Sequence, residues 1–151
     1  MLFYRPTLEE VEEYLENRWE KAFNVIQVQL LAHKEKEKNC ESQYPLHDLN
    51  DLSTPNEAFF QRVDTIANTA QDKGLLLNIA PAWLGCCEGS WRKILLQNGP
   101  DKCRQFSRYV GHRYGPFLNE GRHKFTSPAT NKGGDSDFAI LLESADNNEQ
   151  K

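Results

Sequence analysis

Apolar residues recur in steps of three and four near the start of the chain, as on the buried face of an amphipathic helix. This stripe consists of Leu8, Val11, Leu15, Trp19 and Ala22. Glutamates fill many of the positions between them. The run Thr7-Leu8-Glu9-Glu10 has the spacing of a capping box, in which a hydroxyl and a carboxylate accept from free backbone N–H groups. We therefore predict a helix that begins at Thr7 and buries the stripe.

Two short apolar runs have the pattern of strands. Residues 23–31 (FNVIQVQLL) and 75–83 (LLLNIAPAW) are rich in aliphatic and β-branched side chains. Their apolar positions are too continuous for half-exposed strands, which favours buried parallel strands. The polar residues 33–50, with the charged run HKEKEK, predict a long exposed loop at the carboxyl end of the first strand.

A second helix is predicted from Ser53-Thr54-Pro55-Asn56-Glu57. Thr54 is the expected cap, Pro55 the first helical residue, and Glu57 the acidic partner of a capping box. Gly74 stands where a left-handed helix terminator is expected. The predicted buried stripe of this helix consists of Phe59, Val63, Ile66, Ala67 and Ala70.

A third helix is predicted to open near Gly99-Pro100-Asp101 and to end at Gly115-Pro116, after a loop over residues 84–98. Its apolar face consists of Cys103, Phe106, Val110 and Tyr114. The resulting order of helix, strand, helix, strand and helix predicts an α/β fold built on a parallel sheet. Beyond residue 117 the only strand-like run is 138–142, and the polar residues 143–151 are predicted to be a disordered tail.

Composition narrows the class of protein. The chain has 151 residues, 38% of them hydrophobic and 26% charged, which is ordinary for one globular domain. The formal net charge of -4 argues against a nucleic-acid partner. No apolar run approaches the roughly 20 residues of a membrane span, so no membrane association is predicted. The first residues lack the pattern of a signal peptide, and location stays open.

Cysteines and histidines do not have the spacing of metal ligands. The cysteines are Cys40, Cys86, Cys87 and Cys103, and three of the four histidines are His47, His112 and His123. Neither set contains a zinc or C-x-x-C redox pattern. We predict incidental or structural thiols, no metal and no cofactor.

Residues 2–115 resemble the N-terminal portion of the catalytic domain of apiosidase-like glycoside hydrolases, a barrel family. Tyr14–Gln27 (YLENRWEKAFNVIQ) resembles the first helix and second strand of that family, and Pro55–Asp64 (PNEAFFQRVD) the next helix. Asp72–Trp83 (DKGLLLNIAPAW) is similar to the third strand and Cys103–Gly115 (CRQFSRYVGHRYG) to the third helix. The resemblance implies an incomplete (β/α)8 TIM-barrel, roughly strands 2–3 with their flanking helices. It assigns residues 1–117 to the partial barrel domain and 118–151 to a divergent, irregular C-terminal segment.

The chain also departs from the family pattern. The family's first strand, with its Gly-Asp-Thr-Ala-Trp-like motif, would precede Leu2, so we expect that strand to be missing. Ala22 stands where the family tends to have glycine, and a left-handed alanine there would cost on the order of 1 kcal/mol. Gly133-Gly134-Asp135 matches a family motif, although no apolar strand precedes it. A whole barrel needs about 250 residues, so the 151 residues of this sequence are expected to form only part of one.

The resemblance implies that Asp135 is the general acid/base of a glycosidase, because most glycoside hydrolases use two carboxylates. The alternative is that Gly-Gly-Asp-Ser-Asp is an ordinary turn, and Asp137 is a second candidate. The nucleophile would lie beyond residue 151. Trp83 at a strand end could stack on a sugar or pack in the core. Gln29 and His33 could hydrogen-bond sugar hydroxyls, with a surface role as the alternative for His33.

The functional expectation is a fragment of a glycoside hydrolase that acts on plant cell-wall polysaccharide and is inactive alone. Apiose-containing pectin is the substrate that the resemblance implies, so the expected partner is a pectic oligosaccharide. Two alternatives stay open: a non-catalytic remnant, and a small α/β module that binds carbohydrate or protein. Open strand edges also predict self-association.

Overall fold

The computed structural model describes residues 2–32, 37–82, 84 and 91–115. Its elements are α1 (Leu8–Glu20), β1 (Val25–Gln29), α2 (Glu57–Asp72), β2 (Leu76–Ala80) and α3 (Arg92–Tyr114). This order confirms the predicted α/β class and the alternation of helices and strands. None of the helices in these ranges is long and apolar enough to cross a membrane.

The two strands form a parallel pair. Val25 lies opposite Leu76, and the register continues to Gln29 opposite Ala80. Side chains alternate between the faces of a strand, so Ile26, Val28 and Leu77 are buried on one face. Gln27 and Asn78 are exposed on the other. The prediction of fully buried strands is therefore wrong for this part of the chain, because helices cover one face only.

The capping box at the start of α1 is confirmed. The Thr7 hydroxyl accepts from the backbone N–H of Glu10 at 3.2 Å, and the Glu10 carboxylate accepts from the N–H of Thr7 at 2.7 Å. The predicted stripe is buried only in its middle, where α1 packs on α2. Leu8 and Trp19 at its ends remain 41% and 55% exposed.

Helices α1 and α2 each end in a turn with the same pattern of backbone hydrogen bonds. The N–H of Ala22 donates to Trp19 at 2.8 Å and that of Phe23 to Arg18 at 3.0 Å. The equivalent bonds close α2 around Gly74 at 2.8 and 2.9 Å. This pair of bonds is the Schellman motif, which requires a left-handed residue. Gly74 has φ 69°, as the sequence predicted, and Ala22, which stands where the family tends to have glycine, has φ 58°.

The predicted start of α2 is wrong by two residues. The N-cap is Asn56, whose side chain accepts from the N–H of Ala58 at 3.2 Å. Pro55 instead forms an antiparallel bridge with Leu46, which keeps the chain extended through that position. The Thr54 hydroxyl donates within the loop, to the carbonyl of Asp51 at 2.8 Å.

Helix α3 starts at Arg92, so the prediction of a loop over residues 92–98 is wrong. Gly99, with φ 66° and ψ 178°, breaks the helix where the sequence placed its start. Pro100 lacks the N–H that would continue the helical hydrogen bonds. The Asn98 side chain supports the break, because its amide donates to the carbonyls of Ile94 at 2.8 Å and Asn50 at 2.7 Å.

Helix α2 carries the centre of the core. All five residues of its predicted stripe are buried, and so are Phe60 and Arg62. The Phe60 ring contacts those of Phe59, Phe106 and Tyr109 at centroid separations of 5.5, 6.5 and 4.9 Å. Arg62 is 4% exposed and donates to the carbonyl of Pro6 and the carboxylate of Glu41, both at 2.5 Å. Helix α2 thus fixes the N-terminal segment as well as α3.

Candidate functional site

Hydrogen bonding between the two strands continues past their carboxyl ends. The N–H of Leu30 donates to the carbonyl of Ala80 at 2.9 Å, and that of Leu31 to Pro81 at 3.2 Å. The chain therefore leaves both strands side by side. In α/β folds with parallel strands, ligands bind outside the carboxyl ends of the strands.

Two buried aromatic residues fix the end of β1, and we call Tyr4, Trp91, Leu30 and Ala32 the strand-end cluster. The Tyr4 hydroxyl donates to the carbonyl of Leu30 at 2.9 Å and accepts from the N–H of Ala32 at 3.0 Å. The Trp91 ring N–H donates to the carbonyl of Ala32 at 2.7 Å. Burial raises the pKa of Tyr4 well above its ordinary value. Tyr4 is therefore a neutral positioning group at physiological pH.

Gln29, the last residue of β1, is half-buried and lines a groove of about 650 Å³. We call this space, between the outer edge of β1 and α1, the edge groove. Its walls also include Arg5, Glu10 and Tyr14, a residue that is 39% exposed and whose ring lies 4.9 Å from the Arg18 guanidinium. An amide both donates and accepts hydrogen bonds, and an exposed aromatic ring offers an apolar face. The groove therefore has the side-chain chemistry that binds a polyhydroxylated ligand.

Glu37 is a carboxylate beside the strand-end cluster. Its side chain is only 20% exposed and pairs with Arg5 at 3.5 Å. Its negative charge also contributes to the raised pKa of Tyr4, after burial. The charged run at residues 33–38 was expected to be a solvated surface, so this position was missed. Its interactions involve residues more than 30 positions away, which local pattern does not reveal.

Comparison with known proteins decides the family. A sequence profile for "Apiosidase-like, catalytic domain" matches residues 1–120 of the 151. The chain belongs to the apiosidase-like family. A solved structure described as "Glycoside hydrolase" is 25% identical and aligns over 74% of this chain with a TM-score of 0.59. The chain spans 24% of the length of that protein. No curated protein matches the sequence.

Of the site residues predicted for this apiosidase-like chain, only Gln29 lies within the described residues. It occupies the predicted position at the end of β1. His33, Trp83 and Asp135 lie outside the described residues. The roles expected of these three residues stay predictions.

A second concentration of charge lies between α2 and α3, and we call Glu57, Asp64, Tyr109 and Arg113 the charge cluster. The Arg113 guanidinium donates to both carboxylates, at 2.6 and 2.8 Å in each case. Hydrogen bonding to Arg113 lowers the pKa of Glu57, and burial raises that of Tyr109 to about 12. The acid of a glycosidase needs a carboxyl group with a raised pKa, whereas the pKa of Glu57 is lowered. We therefore interpret the charge cluster as a structural connection between α2 and α3.

Metal binding has no support in the part of the chain that the structure describes. Across these residues no group of three His, Cys, Asp or Glu side chains is placed to hold an ion. Cys40 and Cys103 are free thiols. Cys86 and Cys87 lie outside the described residues.

Proposed function

We propose that this apiosidase-like chain contributes the substrate-binding side of a glycoside hydrolase that acts on plant cell-wall polysaccharide, with apiose-bearing pectin as the substrate. The observation that carries the proposal is that the ends of β1 and β2 are held side by side, next to a groove lined by the half-buried Gln29. Sugar hydroxyls require groups that both donate and accept, and the amide of Gln29 does both.

The proposal includes the barrel. Two adjacent parallel strands, each followed by a helix, are consistent with two consecutive units of a (β/α)8 barrel. In such a barrel the side chains at the carboxyl ends of the strands surround the substrate. Gln29 and the strand-end cluster would then lie on the substrate side.

Hydrolysis with retention needs a proton donor and a nucleophilic carboxylate about 5–5.5 Å apart. We propose Asp135 as the acid/base. Within the described residues, Glu57 and Asp64 are both held by Arg113, and Glu37 is a carboxylate held beside the strand-end cluster. Glu37 is the other candidate for the acid/base, and the alternative is that its ion pair with Arg5 has a purely structural role. We infer that the chain alone binds sugar without hydrolysing it.

The test combines binding with turnover. The purified chain is titrated with an apiose-bearing pectic oligosaccharide by calorimetry, and release of free sugar is followed in parallel. We expect binding without release. Gln29→Ala should weaken binding about 10-fold, which corresponds to the loss of one hydrogen bond of about 1.4 kcal/mol. Lys93→Ala, at an exposed position outside the edge groove, is the matched control.

Each outcome discriminates. Sugar release that Asp135→Asn abolishes and Asp137→Asn preserves would establish catalysis and disprove the proposed inactivity. Sugar release that Glu37→Gln abolishes, instead of Asp135→Asn, would move the acid/base role to Glu37. A folded chain that binds no pectic oligosaccharide would reject the proposed function. Unchanged affinity in Gln29→Ala would remove the edge groove from the site.

A further inference from the structure

A small pocket lies between α2 and α3, beside the first residue of α2. It has a volume of about 180 Å³, and none of its described wall residues belongs to the edge groove. We call it the helix pocket, and its walls include Leu52, Ser53, Glu57, Gln105, Phe106 and Tyr109. Consecutive helices of a (β/α)8 barrel are neighbours in its outer ring. The walls therefore belong to elements that also adjoin each other in the proposed barrel, and the helix pocket does not depend on how the strand edges are paired.

Polar contacts on two sides hold the walls of the helix pocket in place. On one side the loop before α2 is tied to α3. The Lys102 ammonium pairs with Asp51 at 2.6 Å, and the Asn98 side-chain oxygen accepts from the N–H of Leu52 at 2.9 Å. On the other side the charge cluster joins α2 to α3. The space between these connections is preformed, which lowers the entropic cost of binding a ligand there.

The helix pocket combines an apolar floor with a polar rim. Leu52 and Phe106 are 0% and 4% exposed, whereas Gln105 is exposed and the Glu57 side chain is 58% exposed. The half-buried Tyr109 adds an aromatic ring to the wall. A cavity of about 150 Å³ accommodates a benzene ring, so the helix pocket has room for one five- or six-membered ring. Apolar walls with a few polar groups are typical of small-molecule sites, and here they suit a ring that carries hydroxyl groups.

Glu57 determines which charge the ligand can have. A carboxylate offers about four acceptor positions. Arg113 and Tyr109 donate to Glu57 at 2.6, 2.8 and 3.2 Å, so among the described residues one position is left for a donor on the ligand. Hydrogen bonding to Arg113 lowers the pKa of Glu57, which therefore stays ionised at neutral pH. With Asp64, the charge cluster has two carboxylates for one guanidinium, and this excess negative charge repels an anionic ligand.

We propose that the helix pocket binds one neutral sugar residue, at a site separate from the edge groove. The ring of the sugar lies against Phe106 and Tyr109, and its hydroxyl groups bond to the Glu57 carboxylate and the Gln105 amide. The carboxylate accepts only, whereas the amide both donates and accepts, so together they match a pair of neighbouring hydroxyl groups. A uronate, which carries a carboxylate of its own, is rejected. The choice of a sugar over another hydroxylated ring rests on the function proposed above.

Titration of the whole chain with free neutral sugars tests the helix pocket directly. The probes are L-arabinose, D-galactose and D-apiose, and the amide resonances of the isotope-labelled chain are followed by NMR. We expect saturable shifts at residues 52–57 and 105–109 with at least one probe. Gln105→Ala should weaken this binding about 5-fold or more, as expected for one lost hydrogen bond. Gln97→Ala changes the same residue type at an exposed position of α3 outside the helix pocket, and should leave the affinity unchanged.

Discrimination between neutral and acidic sugars tests the role of Glu57. D-Galacturonate should bind about 10-fold or more weakly than D-galactose because of charge repulsion, and Glu57→Gln should bring this ratio toward one. Since the ratio is measured within one variant, a lower stability of Glu57→Gln does not affect it.

Three results would overturn the proposal: no saturable shift at these residues with any of the three neutral sugars, shifts that persist unchanged in Gln105→Ala, or galacturonate binding as tight as that of galactose. A ratio that Glu57→Gln leaves unchanged would remove Glu57 from the site. The proposed function fails separately. If the chain binds no pectic oligosaccharide through Gln29, the titration with free sugars still reports on the helix pocket.

Discussion

The two left-handed helix terminators offer a matched experiment, since one is alanine and the other glycine. Ala22 and Gly74 have φ values of 58° and 69° and close α1 and α2 with the same pair of backbone bonds. A left-handed conformation costs alanine about 1–2 kcal/mol. Ala22→Gly removes that cost, while the greater freedom of glycine in the unfolded chain offsets about 0.4–1 kcal/mol. We expect a net stabilisation of about 0.5–1 kcal/mol.

The reverse change at Gly74 isolates the backbone contribution. A β-carbon built at Gly74 meets no atom within 4 Å, so Gly74→Ala introduces no steric clash. Its cost should equal the gain at Ala22 in magnitude and have the opposite sign. Since the two turns are far apart in sequence and share no bond, the double variant should be close to the parent chain in stability.

Equilibrium unfolding in urea measures both changes. The midpoint should rise for Ala22→Gly and fall for Gly74→Ala, with the same slope m for all chains. Thermal melting should follow with about 2–4 °C per kcal/mol for a chain of this size. A loss of stability in Ala22→Gly, while Gly74→Ala behaves as expected, would refute the left-handed conformation of Ala22. A changed m would show that the unfolded state had been altered instead.

Three further changes test other contacts. Arg113→Lys should lower the free energy of unfolding, measured in urea, by about 1–3 kcal/mol, because paired hydrogen bonds to two carboxylates are lost. The control Arg104→Ala, in an exposed ion pair, should lower it by less than about 0.5 kcal/mol. Equal effects of the two changes would contradict this prediction. Hydrogen bonding from Lys102 lowers the pKa of Asp51 from 3.8 to about 2, so Asp51 stabilises the fold above pH 4 and this contribution disappears as pH falls toward 2. The difference between parent and Asp51→Asn should shrink over that interval, and a pH-independent difference would reject the linkage. Tyr4→Phe should cost about 1–3 kcal/mol by leaving two backbone groups of the strand-end cluster unpaired, and an unchanged midpoint would argue against those bonds.

Sequence pattern predicted those elements whose ends are determined locally. The capping box at Thr7 and the turn at Gly74 depend on neighbouring residues, and both are confirmed. The start of α2 depends on a bridge from Pro55 to a loop residue nine positions earlier, so Thr54 was a reasonable but wrong choice of cap. Trp19 belongs to the apolar stripe of α1 and is nevertheless 55% exposed, because periodicity within one helix does not encode which part of the helix its neighbours cover.

Prediction of the site was limited by sequence separation. Gln29 could be recognised because it ends a strand, which is a local property. The positioning roles of Tyr4 and Trp91 depend on hydrogen bonds across 28 and 59 residues to the backbone of Ala32. From sequence alone, a tyrosine or tryptophan of this kind is predicted to be an ordinary core residue, because the hydrogen-bond partner of its polar atom is in place only once the chain has folded. Glu37 was missed for the same reason.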